Sequence, residues 1–212
     1  MNKPLHPVLY SFRRCPYAMR ARLAIASAGI RCELREIVLK DKAPEFLHTS
    51  PKGTVPVLVN HSAVIEESIE IMQWALEQND PELWLDMPPG EKLLIDQADQ
   101  EFKSALDRYK YSNRFDEVET IKERSICFSF LKKLEAKLKK QRYLAGSTFK
   151  ITDAAIVVFV RQFAFVDKDW FDLQQIPNVQ RWLDEFLHSE RFTIMMAKYQ
   201  KWVSNALPVY FP

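Results

Sequence analysis

Short apolar runs and alternating stretches fill the first eighty residues, and helical spacing takes over after them. Val8 to Phe12 is an apolar run of strand length. From Pro16 to Ser27 the apolar residues Ala18, Leu23 and Ala24, followed by Ala28, fall at helical intervals. Gly29 closes the run. Arg31 to Leu39 alternates, with Cys32, Leu34 and Ile37 on apolar faces, and predicts a second strand. Ala43 to His48 predicts a short helix. Val55 to Val59 and Ala63 to Ile65 predict two further strands, joined by a turn at Asn60-His61-Ser62. Glu67 to Gln78 predicts a helix with Ile71, Trp74 and Ala75 facing inward. The order is strand–helix–strand, then strand–strand–helix, which describes a small α/β layer with one hairpin.

Asn79-Asp80-Pro81 ends that helix, and Met87-Pro88-Pro89-Gly90 is a punctuated connection. Beyond it only helical periodicity is found, with helices expected over 91–113, 118–141, 152–166, 177–188 and 190–201. Pro177 suits a first helical position. The pattern therefore divides the chain into an α/β domain over 1–79, a linker over 80–90 and an all-α domain over 91–212.

Composition narrows the possible functions. Among 212 residues, 47% are hydrophobic and 27% charged, which is ordinary for a globular chain. The net charge of +2 gives no bulk electrostatic case for nucleic acid or an anionic membrane. The lysines around Leu131, Leu134 and Leu138 read as a solvated helix face. No stretch approaches the ~20 apolar residues of a membrane span. Three cysteines without a repeating spacing argue against a disulfide framework and for a reducing compartment. The run Met1 to Pro7 lacks the apolar core of a secretory signal, so a cytoplasmic location is expected. The four histidines show no metal-ligand spacing, and no metal is expected.

Candidate chemistry converges on three pieces of the first domain. In Arg13-Arg14-Cys15-Pro16-Tyr17-Ala18, proline at the first helical position puts the Cys15 sulfur at a helix N-terminus. Helix dipole, free N–H groups and two arginines favour a thiolate there, and such settings lower a thiol pKa to roughly 3.5–7.5. Ala18 stands where a dithiol motif has its second cysteine, so Cys15 must pair with an external thiol. The second piece is Thr54-Val55-Pro56-Val57. The dipeptide fits an ordinary trans proline on an edge strand. A cis bond would instead turn the Val55 backbone outward to pair with a ligand backbone. The third piece is Glu66-Glu67-Ser68 at the head of a helix. Free N–H groups and the Ser68 hydroxyl suit a carboxylate, and Glu67 can accept from an ammonium. Ser68 would serve equally well as a plain cap. Cys32 and Cys127 read as core residues.

A thiol partner, a backbone ladder and a zwitterion clamp together describe glutathione. Cys15-Pro16-Tyr17-Ala18, Leu39-Lys40-Asp41-Lys42, Thr54-Val55-Pro56-Val57-Leu58 and Glu67-Ser68 resemble the cytosolic glutathione transferases, most of all the cysteine-type, omega-like group. The resemblance implies a thioredoxin-like first domain and a helical acceptor-substrate domain. It implies Cys15 as nucleophile, Val55 beside cis-Pro56 on the cysteinyl part of glutathione, and Glu67 and Ser68 on the γ-glutamyl group. Tyr17 would lie beside the thiol, and Lys42 on the glycyl carboxylate with Lys40 as competitor. Tyr109, Tyr111, Arg114 and Phe115 would line an acceptor pocket, though packing explains them equally well. A homodimer is implied. The implied activity is glutathione-dependent thiol transfer through a Cys15–glutathione mixed disulfide. Conjugation to electrophiles, a pathway-specific reductase and a non-catalytic interaction protein of the same fold are the alternatives. Phe149-Lys150-Ile151-Thr152-Asp153-Ala154 resembles the family's helix-capping box with Lys150 in place of the usual Ser or Thr, so the side-chain half of the cap is expected to be missing.

Overall fold

A computed structural model describes residues 5–61, 63–116 and 118–212. Ser62, expected in the hairpin turn, lies outside the described residues. The chain forms two compact units, Met1–Leu85 with Ser189–Pro212, and Asp86–His188.

The first unit is a thioredoxin-like layer. Its elements are β1 (Val8–Ser11), α1 (Pro16–Ser27), β2 (Cys32–Glu36), α2 (Pro44–Thr49), β3 (Val57–Asn60), β4 (Ala63–Ile65) and α3 (Ser68–Gln78). The sheet order is β4-β3-β1-β2-β5. β1 and β2 run parallel, with Leu9 opposite Leu34. β3 is antiparallel to β1, with Leu58 opposite Leu9. All four residues of β1 are buried, as a central strand covered on both faces must be. On one face Val8, Tyr10 and Val57 pack with Ile37 and with Phe46 of α2. On the other, α1 packs against α3, and Arg22 of α1 donates to Ser11 Oγ at 2.9 Å. In α3, Ile71 and Ala75 are buried as expected, but Trp74 is only half-buried and Met72 and Leu76 take the inner positions.

The fifth strand was not expected. β5 (Tyr210–Phe211) pairs antiparallel with β2, Phe211 lying opposite Cys32. Residues 189–212 therefore lie with the first unit and not with the helices before them, and the division falls after Leu85, inside the stretch read as a linker. The helix expected over 190–201 stops at Met195 (α10, Glu190–Met195). There the buried guanidinium of Arg22 donates to the carbonyls of Met195 and Ala197, at 3.2 and 3.4 Å, in place of a continuing helix ladder.

The second unit is all-α. One continuous rod comprises α4 (Glu91–Gln97), a π-helical turn over Ala98–Phe102 and α5 (Lys103–Lys110). Then come α6 (Thr120–Leu138), α7 (Ile151–Ala164), a short α8 (Lys168–Asp172) and α9 (Pro177–Leu187). The first ten residues of α7 are all buried, making it the core helix. Phe102 packs with Phe130 and with Phe163 of α7 as tilted rings, the centroids of Phe130 and Phe163 lying 5.0 and 5.9 Å from Phe102. Pro177 opens α9, and the Glu135 carboxylate of α6 accepts from the N–H groups of Asn178 and Val179, both at 3.0 Å. No helix among the described residues is long and apolar enough to cross a membrane.

Candidate active site

After β1 the chain turns at once. Cys15 N–H donates to Phe12 O at 2.9 Å, closing a four-residue turn over Phe12-Arg13-Arg14-Cys15. Cys15 is the extended N-cap residue of α1 (φ −78°, ψ 121°), Pro16 follows at the first helical position, and Cys15 O accepts from Met19 N–H at 2.9 Å. The Cys15 side chain makes no capping hydrogen bond to this helix, and a helix N-terminus favours negative charge on a sulfur beside it.

Forty residues on, the Val55–Pro56 peptide bond is cis and β3 begins at Val57. This brings two of the sequence motifs together. The Cys15 Sγ donates to the Val55 carbonyl at 3.4 Å. The sulfur is partly buried against the cluster that holds Val55, Val57 and Tyr10. Tyr17, the second residue of α1, lies under the Arg20 guanidinium, 5.6 Å from its ring centroid. Arg14 turns its charge onto the Phe12 ring at 5.5 Å.

The third motif divides. Ser68 is the first residue of α3 and is buried, and no side chain caps this N-terminus. Glu67 is exposed, and its carboxylate holds the Lys52 ammonium at 2.5 Å. A cation already sits where the sequence placed an incoming ammonium. Lys52 carried no motif; the only signal was a lysine just ahead of Gly53 in the loop leading to Val55. Its pKa is raised, first by the hydrogen bond to Glu67.

The two candidate lysines also separate. Lys40 is exposed, whereas Lys42 is half-buried and lies along the Gly53 turn. A Cβ on Gly53 would meet Lys42 Nζ at 3.4 Å and Leu47 Cδ2 at 3.2 Å, and the φ of +63° disfavours any other residue there. Lys42 is thus carried beside the loop that leads into Val55, and Lys40 points to solvent.

Tyr109, Tyr111, Arg114 and Phe115 belong to the second unit. Tyr109 packs on Phe163 at 5.7 Å, Arg114 lies over the Tyr111 ring at 4.3 Å, and Phe115 is exposed. Cys32 and Cys127 are fully buried, and burial pushes both thiols up to about 12. Neither is a nucleophile at neutral pH. In the capping segment, Asp153 accepts from Lys150 N–H at 3.1 Å. The Lys150 side chain caps nothing, because an ammonium has no lone pair to offer.

Residues 9–84 match the family described as glutathione S-transferase, N-terminal domain, and residues 94–185 match glutathione S-transferase, C-terminal domain. The chain belongs to the glutathione S-transferase family. Similar enzymes include glutathione S-transferase U28 of Arabidopsis thaliana, 29% identical over 183 residues, covering 82% of this chain and 81% of the relative. Glutathione S-transferase D7 of Drosophila melanogaster is 26% identical over 190 residues, covering 82% of this chain and 81% of the relative. Among solved structures, a glutathione transferase family member from Pseudomonas fluorescens with two glutathione bound has a TM-score of 0.78 at 16% identity, covering 90% of this chain and 92% of that one. A glutathione transferase of Phanerochaete chrysosporium in complex with oxidised glutathione has a TM-score of 0.76 at 17% identity, covering 90% and 94%. The thioredoxin-like unit followed by a helical domain is the glutathione transferase fold.

Proposed function

We propose that this glutathione transferase is of the cysteine type and acts as a glutathione-dependent thiol transferase. The observation that carries the reading is the meeting of Cys15 Sγ with the Val55 carbonyl at 3.4 Å, at the N-terminus of α1. Glutathione laid along the Val55 backbone would bring its own sulfur beside Cys15. Its γ-glutamyl carboxylate would meet the α3 N-terminus and Ser68, its ammonium would displace Lys52 from Glu67, and its glycyl carboxylate would meet Lys42. Tyr17 would flank the thiol. The bound glutathione of the two solved relatives supports glutathione as the ligand.

The Cys15 thiolate attacks the glutathionyl sulfur of a mixed disulfide RS–SG. A Cys15–SG bond forms, and RS⁻ leaves and takes a proton. A second glutathione thiolate attacks the Cys15-bound glutathionyl sulfur, which releases oxidised glutathione and restores the Cys15 thiolate. The balance is RSSG and GSH giving RSH and GSSG, with no metal in any step. Ala18 supports an external resolving thiol, since no second cysteine follows in the motif. The acceptor side falls to Tyr109, Tyr111, Arg114 and Phe115, and the chain works as a homodimer in the cytoplasm, without nucleic acid or membrane.

Glutathione-dependent reduction of 2-hydroxyethyl disulfide tests this. Activity in the wild type that Cys15→Ser abolishes is expected. Glutathione binding without reduction would favour conjugation to electrophiles or a specialised reductase. Neither binding nor reduction would leave a non-catalytic interaction protein.

A further inference from the structure

We infer that Glu36 is a positioning residue for Cys15, holding the turn that presents the thiol; the assignment rests on Cys15 being the nucleophile. In the turn Phe12-Arg13-Arg14-Cys15 the closing hydrogen bond uses Phe12 O and Cys15 N–H. That pattern leaves the second residue's N–H pointing out of the turn, in need of a partner. The partner is a carboxylate. Arg13 N–H donates to Glu36 Oε1 at 2.6 Å.

Glu36 sits at an inward position of β2, where burial alternates through Cys32, Leu34 and Glu36 and the residue keeps only 8% of its surface. A carboxylate there is costly unless paired. Its other oxygen takes the Arg22 guanidinium, which is fully buried. Arg22 is pinned in turn by Ser11 Oγ at 2.9 Å and by the carbonyls of Met195 and Ala197. The Tyr199 and Phe211 rings flank it at 5.6 and 5.8 Å. The backbone of Glu36 is fixed as well, since its carbonyl accepts from Trp202 N–H at 2.9 Å. The carboxylate is therefore held through Oε2 by Arg22, its backbone is held by Trp202, and its Oε1 is aimed at the turn two residues before the sulfur. The carboxyl-terminal segment braces the nucleophile loop through this pair.

Iodoacetamide alkylation, read residue by residue on cysteine-containing peptides by mass spectrometry, tests the assignment across pH. Cys32 and Cys127 stay silent while the fold is intact, because both thiols are buried and lifted to about 12. Glu36→Ala is expected to slow labelling of Cys15 at least tenfold and move its pH midpoint upward. Glu36→Gln, which retains one acceptor oxygen, is expected to fall between that variant and the wild type. The dissociation constant for S-methylglutathione, which has no free thiol, is expected to stay within about threefold. Equal Cys15 rates in all three proteins would overturn the inference. So would slowed Cys15 labelling accompanied by labelling of Cys32 and Cys127, since that marks a loosened fold. Should Glu36→Ala fail to fold, amide exchange in the wild type decides. The Arg13 N–H is expected to exchange at least a hundredfold slower than an exposed amide, and fast exchange would overturn the inference. The alkylation needs neither glutathione nor a disulfide acceptor. Failure of the thiol transferase reading would appear as lost disulfide reduction with the Cys15 rate ratios unaffected.

Discussion

Asp153 carries a load that a single substitution can weigh. Its Oδ1 accepts from Leu144 N–H at 2.8 Å and from Trp182 Nε1 at 2.9 Å, and its Oδ2 accepts from Lys150 N–H at 3.1 Å. Burial raises its pKa to about 6, although those three hydrogen bonds pull the other way. The folded carboxyl thus binds its proton more tightly than an unfolded aspartate, whose pKa is about 3.9. The sign follows from that difference. Between the two pKa values the native state holds more proton, so the contribution of Asp153 is fully present below about pH 4 and is lost as pH rises through about 6. Asp153→Asn keeps an oxygen for Leu144 and Trp182 but turns an NH₂ towards Lys150 N–H. The variant escapes the cost of a buried charge and loses one hydrogen bond, worth about 1–3 kcal/mol with the donor left buried. At about pH 7.5 the two effects oppose each other, and the variant is expected within about 2 kcal/mol of the wild type. At about pH 4.5 the wild type regains about 2 kcal/mol that the asparagine cannot, so the stability difference shifts in favour of the wild type by that amount. Urea unfolding followed by tryptophan fluorescence and circular dichroism at both pH values reads the difference directly. A stability gap that does not change with pH would refute the reasoning.

Other substitutions probe other contacts. Glu135→Ala removes the carboxylate that caps α9 from a neighbouring helix and is expected to cost about 1–2 kcal/mol, seen as a Tm lower by a few degrees. Lys42→Ala is expected to raise KM for glutathione about five- to tenfold, as loss of one charge-assisted contact to a carboxylate would, with kcat little changed. Lys40→Ala is expected to leave both constants alone, and the opposite pattern would move the glycyl contact to Lys40.

Much of the first unit was legible because its signals are local. Strand, turn and helix meet at Cys15-Pro16, and periodicity places β1, α1 and α3 within a residue or two. The capping segment was legible for the same reason, since Lys150 cannot accept a hydrogen bond and Asp153 can. What was missed is tertiary. β5 is two residues long and exists only because β2 offers an open edge. The last helix stops at Met195 because Arg22, far away in sequence, takes the carbonyls that would continue it. α8, at five residues, is too short to show a period. Glu36 did leave a trace, a carboxylate at an inward position of an alternating strand, but nothing local pointed to its partners. Lys52 left only its place ahead of Gly53, since an exposed loop lysine is ordinary and its pairing with Glu67 depends on how the two loops meet.

The proposed reaction passes through one covalent bond, between Cys15 and glutathione. Reduced protein incubated with a glutathione mixed disulfide and trapped in acid should carry one glutathione per chain, mapped by mass spectrometry to Cys15, and should shed it when free glutathione is added. Glutathione found on Cys32 or Cys127, or absent altogether while Cys15→Ser leaves turnover intact, would contradict it.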